Sequence, residues 1–182
     1  MINLTNALKI HGWTSEAELT WLAEQASKRM RILEIGSWRG RSTRAMADNT
    51  QGIVYAVDTW NGTPEDGHMK MLEGKPEDWL FGEFKKNMAG TKNVNAVRGE
   101  SAKILSGDYS GDRYEEWYSA DATWLVSDFL PFVGKFDMVF IDGDHSYEAV
   151  RADILAVRPL LDRKSTRLNS SHNVISRMPS SA

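Results

Sequence analysis

The chain has 182 residues, of which 41% are hydrophobic, and this length and apolar content suit one domain with a substantial core. It contains no cysteine, which excludes disulfides and thiolate metal sites and makes the cytoplasm the expected compartment. The net charge of -3 gives no general attraction to nucleic acid, and no apolar run approaches the roughly 20 residues of a membrane span. We therefore expect neither nucleic acid nor a membrane as a partner.

The first predicted element is a helix. Ser15 with Glu18 forms a capping-box pattern, in which the two side chains satisfy the first free amides of a helix. Apolar residues then recur at helical spacing and indicate the face that packs on the core: Leu19, Leu22, Ala23 and Ala26.

A buried strand, a glycine turn and a second helix follow, and this is the most informative part of the chain. The strand covers residues 32–35 and carries an acid, Glu34. Gly36 and Gly40 mark the turn, and the helix runs through residues 44–47. An acid followed by glycines at this spacing lets the backbone approach a bound nucleoside closely.

The second strand, residues 53–57, ends in Asp58, roughly 20 residues after the turn. A carboxylate at this distance binds the ribose in nucleotide-binding α/β folds. A polar stretch over residues 61–75 leads to a helix, and a third strand over residues 93–98 ends at Gly99-Glu100-Ser101.

Residues 106–134 interrupt this alternation. They include several Tyr and Trp residues, and we expect an insertion on the domain rather than a strand of the main sheet. A fourth strand over residues 136–141 ends at Asp142. Apolar residues at helical spacing then mark a further helix: Tyr147, Val150, Ile154 and Val157.

Alternating strands and helices predict an α/β fold, a Rossmann-like parallel sheet with helices on both faces. In such sheets ligands bind beyond the carboxyl ends of the strands. Glu34, Asp58, Ser101 and Asp142 all lie at those ends. The candidate site therefore lies at the carboxyl ends of these strands.

Residues 12–161 resemble class I S-adenosylmethionine-dependent methyltransferases, most closely small-molecule O-methyltransferases of the catechol type and a bacterial group acting on sugars and natural products. The resemblance rests on the string from Leu33 to Ser42, on Asp58, on Gly99-Glu100-Ser101, and on the strand ending at Asp142. Glu34 stands where dinucleotide dehydrogenases prefer a glycine, which favours the methyl donor over NAD. The resemblance implies transfer of a methyl group to a hydroxyl of a small molecule or sugar by in-line displacement.

The resemblance implies S-adenosylmethionine as cofactor and assigns it eight residues: Glu34, Gly36, Ser37, Gly40, Ser42, Asp58, Trp60 and Ser101. The glycines would admit the methionine portion, and the two serines of the turn would donate to its carboxylate. Asp58 would accept both ribose hydroxyls, while Ser101 and Trp60 would lie at the adenine. A helix cap for Ser101 and core packing for Trp60 are the alternatives.

The acceptor side rests on Asp142 and His145. In the metal-dependent members of the family, the acid at this strand end binds a divalent cation, so the resemblance implies Asp142 as a ligand of Mg²⁺ or a similar ion. His145 occupies the position of the catalytic lysine and is predicted to be the general base, because imidazole exchanges protons near neutral pH. The alternatives are a turn-forming Asp before Gly143 and a histidine bonded to its own loop.

From Asp162 onward the sequence changes character. Residues 162–172 fit the translation of a common short-read sequencing adapter, so we interpret residues 162–182 as adapter translation without native structure. Residues 1–161 would then be a partial methyltransferase domain without its C-terminal strands, and a metal site would lack the two ligands that the next strand supplies. A polar disordered tail is the alternative.

Two other functions stay open at this point. The chain could be a non-catalytic module that binds S-adenosylmethionine or another nucleoside, or an inactive truncated fragment. Asp142 together with His145 favours an enzyme, because a mere binding module has little need for both on the acceptor side. The sequence predicts no oligomeric state.

Overall fold

The computed structural model describes residues 1–62, 68–107, 115–119, 136–162 and 174–176. Its strands are β1 (Arg31–Ile35), β2 (Ile53–Asp58), β3 (Val94–Arg98), β4 (Glu115–Tyr118), β5 (Met138–Ile141) and β6 (Val174–Ser176). They form one sheet in the order β4-β3-β2-β1-β5-β6. Strand β4 runs antiparallel to β3, and every other pairing among these strands is parallel.

Helices cover both faces of the sheet. They are α1 (Glu16–Ala26), α2 (Arg41–Ala47), α3 (His68–Leu72), α4 (Trp79–Asn87), α5 (Ser101–Ser106) and α6 (Tyr147–Val157). Apolar side chains of α1, α2 and α4 join one core cluster, and those of α5 and α6 join the cluster on the opposite face. The predicted Rossmann-like α/β class is confirmed. Within the described ranges, no helix is long and apolar enough to cross a membrane.

The start of α1 follows the sequence prediction. The Glu18 amide donates to Ser15 Oγ at 3.3 Å, and the Ser15 amide donates to Glu18 Oε2 at 2.7 Å, which completes the capping box. The four predicted apolar positions, Leu19, Leu22, Ala23 and Ala26, are all buried. This helix is therefore fixed by its local sequence at both the cap and the buried face.

The expectation that residues 106–134 stay outside the main sheet is wrong. Residues 115–118 form β4 and extend the sheet beyond β3 in antiparallel register, with Ala96 opposite Trp117. Trp117 packs edge-on against Phe84 of α4, with ring centroids 6.3 Å apart. An aromatic residue that can bury one face favours a strand at this edge. Tyr114 and Trp124, two further aromatic residues of residues 106–134, lie outside the described residues.

Helix α6 forms as predicted, but the apolar residues that mark it are not all buried. Tyr147 is 76% exposed and Ile154 is 39% exposed, whereas Asp153 and Val157 are buried. Asp153 accepts a hydrogen bond from Ser101 of α5. This hydrogen bond supplies the partner that a buried carboxylate needs.

Candidate active site

Backbone hydrogen bonds hold the carboxyl ends of four neighbouring strands side by side. The Gly36 amide donates to the Val57 carbonyl at 2.9 Å, and the Gly99 amide donates to the Asp58 carbonyl at 2.9 Å. The Asp142 amide donates to the Ile35 carbonyl at 2.8 Å. The segments that follow β1, β2, β3 and β5 therefore begin side by side, as ligand sites of open α/β sheets require.

Glu34 lies beneath the glycine turn and is completely buried. Its carboxylate accepts hydrogen bonds from Ser37 Oγ at 2.8 Å, from Ser42 Oγ at 2.5 Å and from Thr43 Oγ1. The acid therefore joins the strand, the turn and the first residues of α2. Thr43 was missed at the sequence level, and its position next to Ser42 was the available signal.

The hydroxyls of Ser37 and Ser42 both bond the same buried acid, Glu34. Each serine hydroxyl has one proton, and both protons are directed to Glu34. Both side chains are also buried. Donation from them to a ligand carboxylate stays a prediction, and it would require these hydroxyl protons to leave Glu34.

Burial raises the pKa of Glu34 above its ordinary value, and the nearby Asp58 charge adds to this effect. The three hydroxyl donors act in the opposite direction without cancelling the burial effect. Folding therefore binds a proton at Glu34 between the ordinary and the raised pKa. The resulting stability is fully present below the ordinary value and is lost as pH rises through the raised one.

We expect Glu34→Gln to remove this pH dependence. The free energy of unfolding, measured by urea denaturation from pH 4 to pH 8, should decline more steeply with pH in the wild type than in the variant. Glu83→Gln is the control, and its effect on the pH dependence of the free energy of unfolding should have the opposite sign. A hydrogen bond from Lys86 lowers the pKa of Glu83, and Arg39 adds to the effect. Parallel wild-type and Glu34→Gln curves would contradict a raised pKa at Glu34.

Gly36 and Gly40 both adopt left-handed backbone conformations, with φ of 84° and 86°. A Cβ at Gly36 would lie 2.4 Å from the Asp142 carbonyl oxygen, and one at Gly40 would lie 2.5 Å from Met88 Cε. Both positions therefore favour glycine for the turn, and at Gly36 the close approach of the Asp142–Gly143 backbone also leaves no room for a side chain. Their predicted contact with the methionine portion of a ligand stays a prediction.

Asp58 holds two turns of the site in place. Its Oδ2 accepts from the Trp38 amide at 2.8 Å, and its Oδ1 accepts from the Trp60 amide at 2.7 Å. Trp38 and Trp60 both have positive φ, 47° and 51°, a conformation that costs a residue other than glycine roughly 1–2 kcal/mol. The carboxylate stabilises both strained turns and is itself fixed at the edge of the sheet.

Trp60 packs in the core. Its ring is 1% exposed and lies 4.5 Å from Phe81 and 4.9 Å from Phe84 between centroids. Its Nε1 donates to the Trp38 carbonyl at 2.7 Å. The structure thus gives this side chain the arrangement of the core alternative, and its predicted place over an adenine stays a prediction.

Ser101 begins α5 and is bonded to an acid that the sequence did not single out. Its hydroxyl donates to Asp153 Oδ1 at 2.5 Å. Burial raises the pKa of Asp153, the Ser101 hydrogen bond opposes this effect, and the charge of Asp144 adds to it. The available signal was an acid four residues before Val157, on the face of α6 that the sheet buries.

Asp142 and His145 lie in the segment between β5 and α6, and both are half-buried. The segment is shaped by Asp144, whose Oδ1 accepts from the Ser146 amide at 2.7 Å, and by Ser146, which caps α6. Among the described residues, no group of three or more His, Asp or Glu side chains is placed to hold a metal. A metal-ligand role for Asp142 stays a prediction.

Comparisons with known proteins agree with this fold. A family model described as a methyltransferase domain matches residues 33–168. A Staphylococcus aureus protein provisionally named a caffeoyl-CoA O-methyltransferase has a similar structure, with a TM-score of 0.51 and 15% identity over 86% of this chain and 57% of its own. The search of curated proteins returns no match.

Two further structures are similar at lower TM-scores. An O-methyltransferase from Bacillus cereus in complex with SAH has a TM-score of 0.45 and 16% identity over 86% of this chain and 61% of its own. An SAH-bound methyltransferase from Podospora anserina has a TM-score of 0.45 and 20% identity over 82% of this chain and 50% of its own. The chain thus spans about half to three-fifths of these proteins. By its match over residues 33–168, and with a class I methyltransferase fold, the chain belongs to the methyltransferase-domain family.

Proposed function

We propose that S-adenosylmethionine binds at the carboxyl ends of the parallel strands and that the chain transfers its methyl group to a hydroxyl of a small molecule or sugar. The observation that carries this proposal is Asp58, an acid fixed by two backbone amides at the end of β2. It lies next to the Glu34-supported turn that follows β1. The names of the S. aureus and B. cereus structures favour oxygen as the acceptor atom.

The chemistry of the donor set fits this cofactor. A ribose offers two neighbouring hydroxyl donors, and a carboxylate has two oxygens that can each accept more than one hydrogen bond. Asp58 receives one backbone amide on each oxygen, which orients both oxygens and is compatible with a diol as a further donor. The adjacent turn, held by Glu34 and its hydroxyl donors, would border the methionine portion.

The acceptor would bind on the β5 side, beside Asp142 and His145. When bound, S-adenosylmethionine supplies a sulfonium-activated methyl group. An imidazole nitrogen of His145 would take the proton of the acceptor hydroxyl, so that the oxygen becomes a better nucleophile. The fixed turns would keep the two reactants aligned, which is the larger part of the protein's task in such a transfer.

Divalent-metal assistance is a separate part of the proposal and rests on Asp142. A cation bound there would stabilise the acceptor alkoxide. The described residues supply no complete ligand set for such a cation.

The proposed function is tested by incubating the chain with methyl-labelled S-adenosylmethionine and a panel of small-molecule and sugar hydroxyl acceptors, with amines and thiols as comparison acceptors. We expect S-adenosylhomocysteine to form together with a methyl ether, detected by mass spectrometry. Binding of S-adenosylmethionine without transfer would favour a non-catalytic module. Transfer to nitrogen or sulfur alone would contradict the proposed acceptor atom.

A further inference from the structure

Arg98 is a buried residue at the carboxyl end of β3, and it has no part in the methyl-transfer steps above. It is 1% exposed, and in the register of the sheet it lies opposite Asp58, the proposed ribose acid. A charged group taken out of water must find ion-pair and hydrogen-bond partners. The partners of Arg98 therefore indicate what its side chain holds in place.

The guanidinium of Arg98 contacts three elements that meet at the end of β3. Its Nε donates to the Thr59 carbonyl at 3.2 Å, in the turn that follows β2. Its Nη1 donates to Asp78 Oδ1 at 2.7 Å, at the start of α4, and lies 3.7 Å from Glu115 Oε2 of β4. Its Cζ lies 5.4 Å from the centroid of the Phe81 ring, within the range of a cation–π contact. One side chain thus connects the turn after β2 to α4 and β4.

The contact with Thr59 reaches the same peptide group that contacts Asp58. The Thr59 carbonyl and the Trp60 amide belong to one peptide unit, which is planar. Asp58 Oδ1 accepts a hydrogen bond from that amide at 2.7 Å, while Arg98 Nε donates to the carbonyl. Because the planar unit turns as a whole, a bond that fixes its carbonyl also fixes the direction of its amide. Arg98 therefore sets the direction from which Asp58 Oδ1 is bonded.

Asp78 holds Arg98 instead of capping its own helix. An aspartate at the position before a helix commonly accepts hydrogen bonds from amides of the first turn. Asp78 occupies this position before α4, but its side chain makes no capping hydrogen bond and pairs with Arg98. The Asp78 side chain is 66% exposed, so it can be replaced without opening the core.

We infer that Arg98 is a positioning residue for the ribose contact and acts on Asp58 Oδ1 through the Thr59–Trp60 peptide. The inference rests on the proposed function, since it requires a nucleoside whose ribose lies at Asp58. Arg98 ends β3, whereas the proposed base follows β5, and two strands separate β3 from β5 in the sheet. Arg98 should therefore affect cofactor binding and leave the transfer step unchanged.

The test is calorimetry with S-adenosyl-L-homocysteine on the variant Arg98→Lys. Lysine keeps a cation that can pair with Asp78 but lacks the planar fork that reaches Asp78 and Thr59 together. We expect affinity to fall by about threefold to tenfold, the effect of one hydrogen bond. KM for S-adenosylmethionine should rise by a similar factor, while kcat stays within about twofold. In an Asp58→Ala background, Arg98→Lys should weaken binding no further, because no carboxylate is left to orient.

Arg44→Lys is the matched control, because Arg44 is a second buried arginine with the same kinds of partner. Its Nε donates to the Asp48 carboxylate, and its Nη1 donates to two backbone carbonyls, those of Asn87 and Ala89, at the end of α4. Both lysine variants should lower the unfolding temperature. Only Arg98→Lys should weaken binding of S-adenosyl-L-homocysteine.

Wild-type affinity in Arg98→Lys, or a loss that adds in full to that of Asp58→Ala, would overturn the inference. If Arg98→Lys fails to fold, Asp78→Ala decides in its place. It removes an exposed partner of the guanidinium and should weaken binding in the same direction, so unchanged affinity would count against the inference. A wild type that does not bind S-adenosyl-L-homocysteine would instead overturn the proposed function, and the inference with it.

Discussion

Replacing His145 with alanine is expected to lower turnover by roughly 10²–10⁴-fold, the usual contribution of a positioned general base. The affinity for S-adenosylmethionine should stay within about twofold, because the proposed cofactor contacts lie at β1, β2 and β3 while His145 follows β5. Single-turnover rates and calorimetry on the same preparation separate the two effects.

His11→Ala is the control for this prediction, since His11 is an exposed histidine in the segment that precedes α1. It should leave turnover unchanged. Retention of wild-type turnover by His145→Ala would remove this residue as the base and would leave it the role of a loop histidine.

Replacing Asp58 with asparagine is expected to weaken binding of S-adenosyl-L-homocysteine by roughly tenfold to hundredfold. Asparagine has a single acceptor oxygen, so it cannot accept from the Trp38 and Trp60 amides and from a diol as a carboxylate does. The loss of negative charge removes charge-assisted hydrogen bonds as well. Calorimetry measures the change directly.

Asp137→Asn is a matched control for Asp58→Asn. Asp137 also accepts hydrogen bonds from two backbone amides, those of Met30 and Arg31, at 2.9 and 3.0 Å. It lies at the amino ends of the strands, away from the proposed site. Both variants should lower the unfolding temperature, and only Asp58→Asn should weaken binding. Equal affinities for the two variants would contradict the assignment of Asp58 to the ribose.

The strand ends were predictable because they depend on local patterns. Apolar runs bounded by glycine or an acid define β1, β2, β3 and β5, and the cap at Ser15 is a contact between neighbours in sequence. Asp58 followed from its distance to the glycine turn. These features require no knowledge of which distant residues meet.

The features that were missed depend on contacts between distant parts of the chain. Residues 115–118 form strand β4 by pairing with β3, and the hydrophobic periodicity of the sequence does not specify that partner. Ser101 and Asp153 are 52 residues apart, so local spacing does not reveal their hydrogen bond. Trp60 could not be placed from sequence, since strand-end aromatics occur both in cores and at ligands.

The hydroxyls of Ser37 and Ser42 show a further limit of sequence reasoning. Their residue types and spacing suit an anion site at a helix start, and the same types suit support of a buried acid. Only the direction of each hydroxyl distinguishes the two roles, and in this structure both are directed to Glu34.

We propose that a nucleoside cofactor binds across the carboxyl ends of β1, β2 and β3. Hydrogen–deuterium exchange with and without S-adenosyl-L-homocysteine tests it most directly, because slower exchange marks the backbone segments that the ligand orders. We predict slower exchange at residues 36–41, 58–60 and 99–101. Exchange at residues 29–31 and 137, at the amino ends of the strands, should be unchanged. Unchanged exchange throughout, or slowing confined to the amino ends of the strands, would contradict cofactor binding at the carboxyl ends.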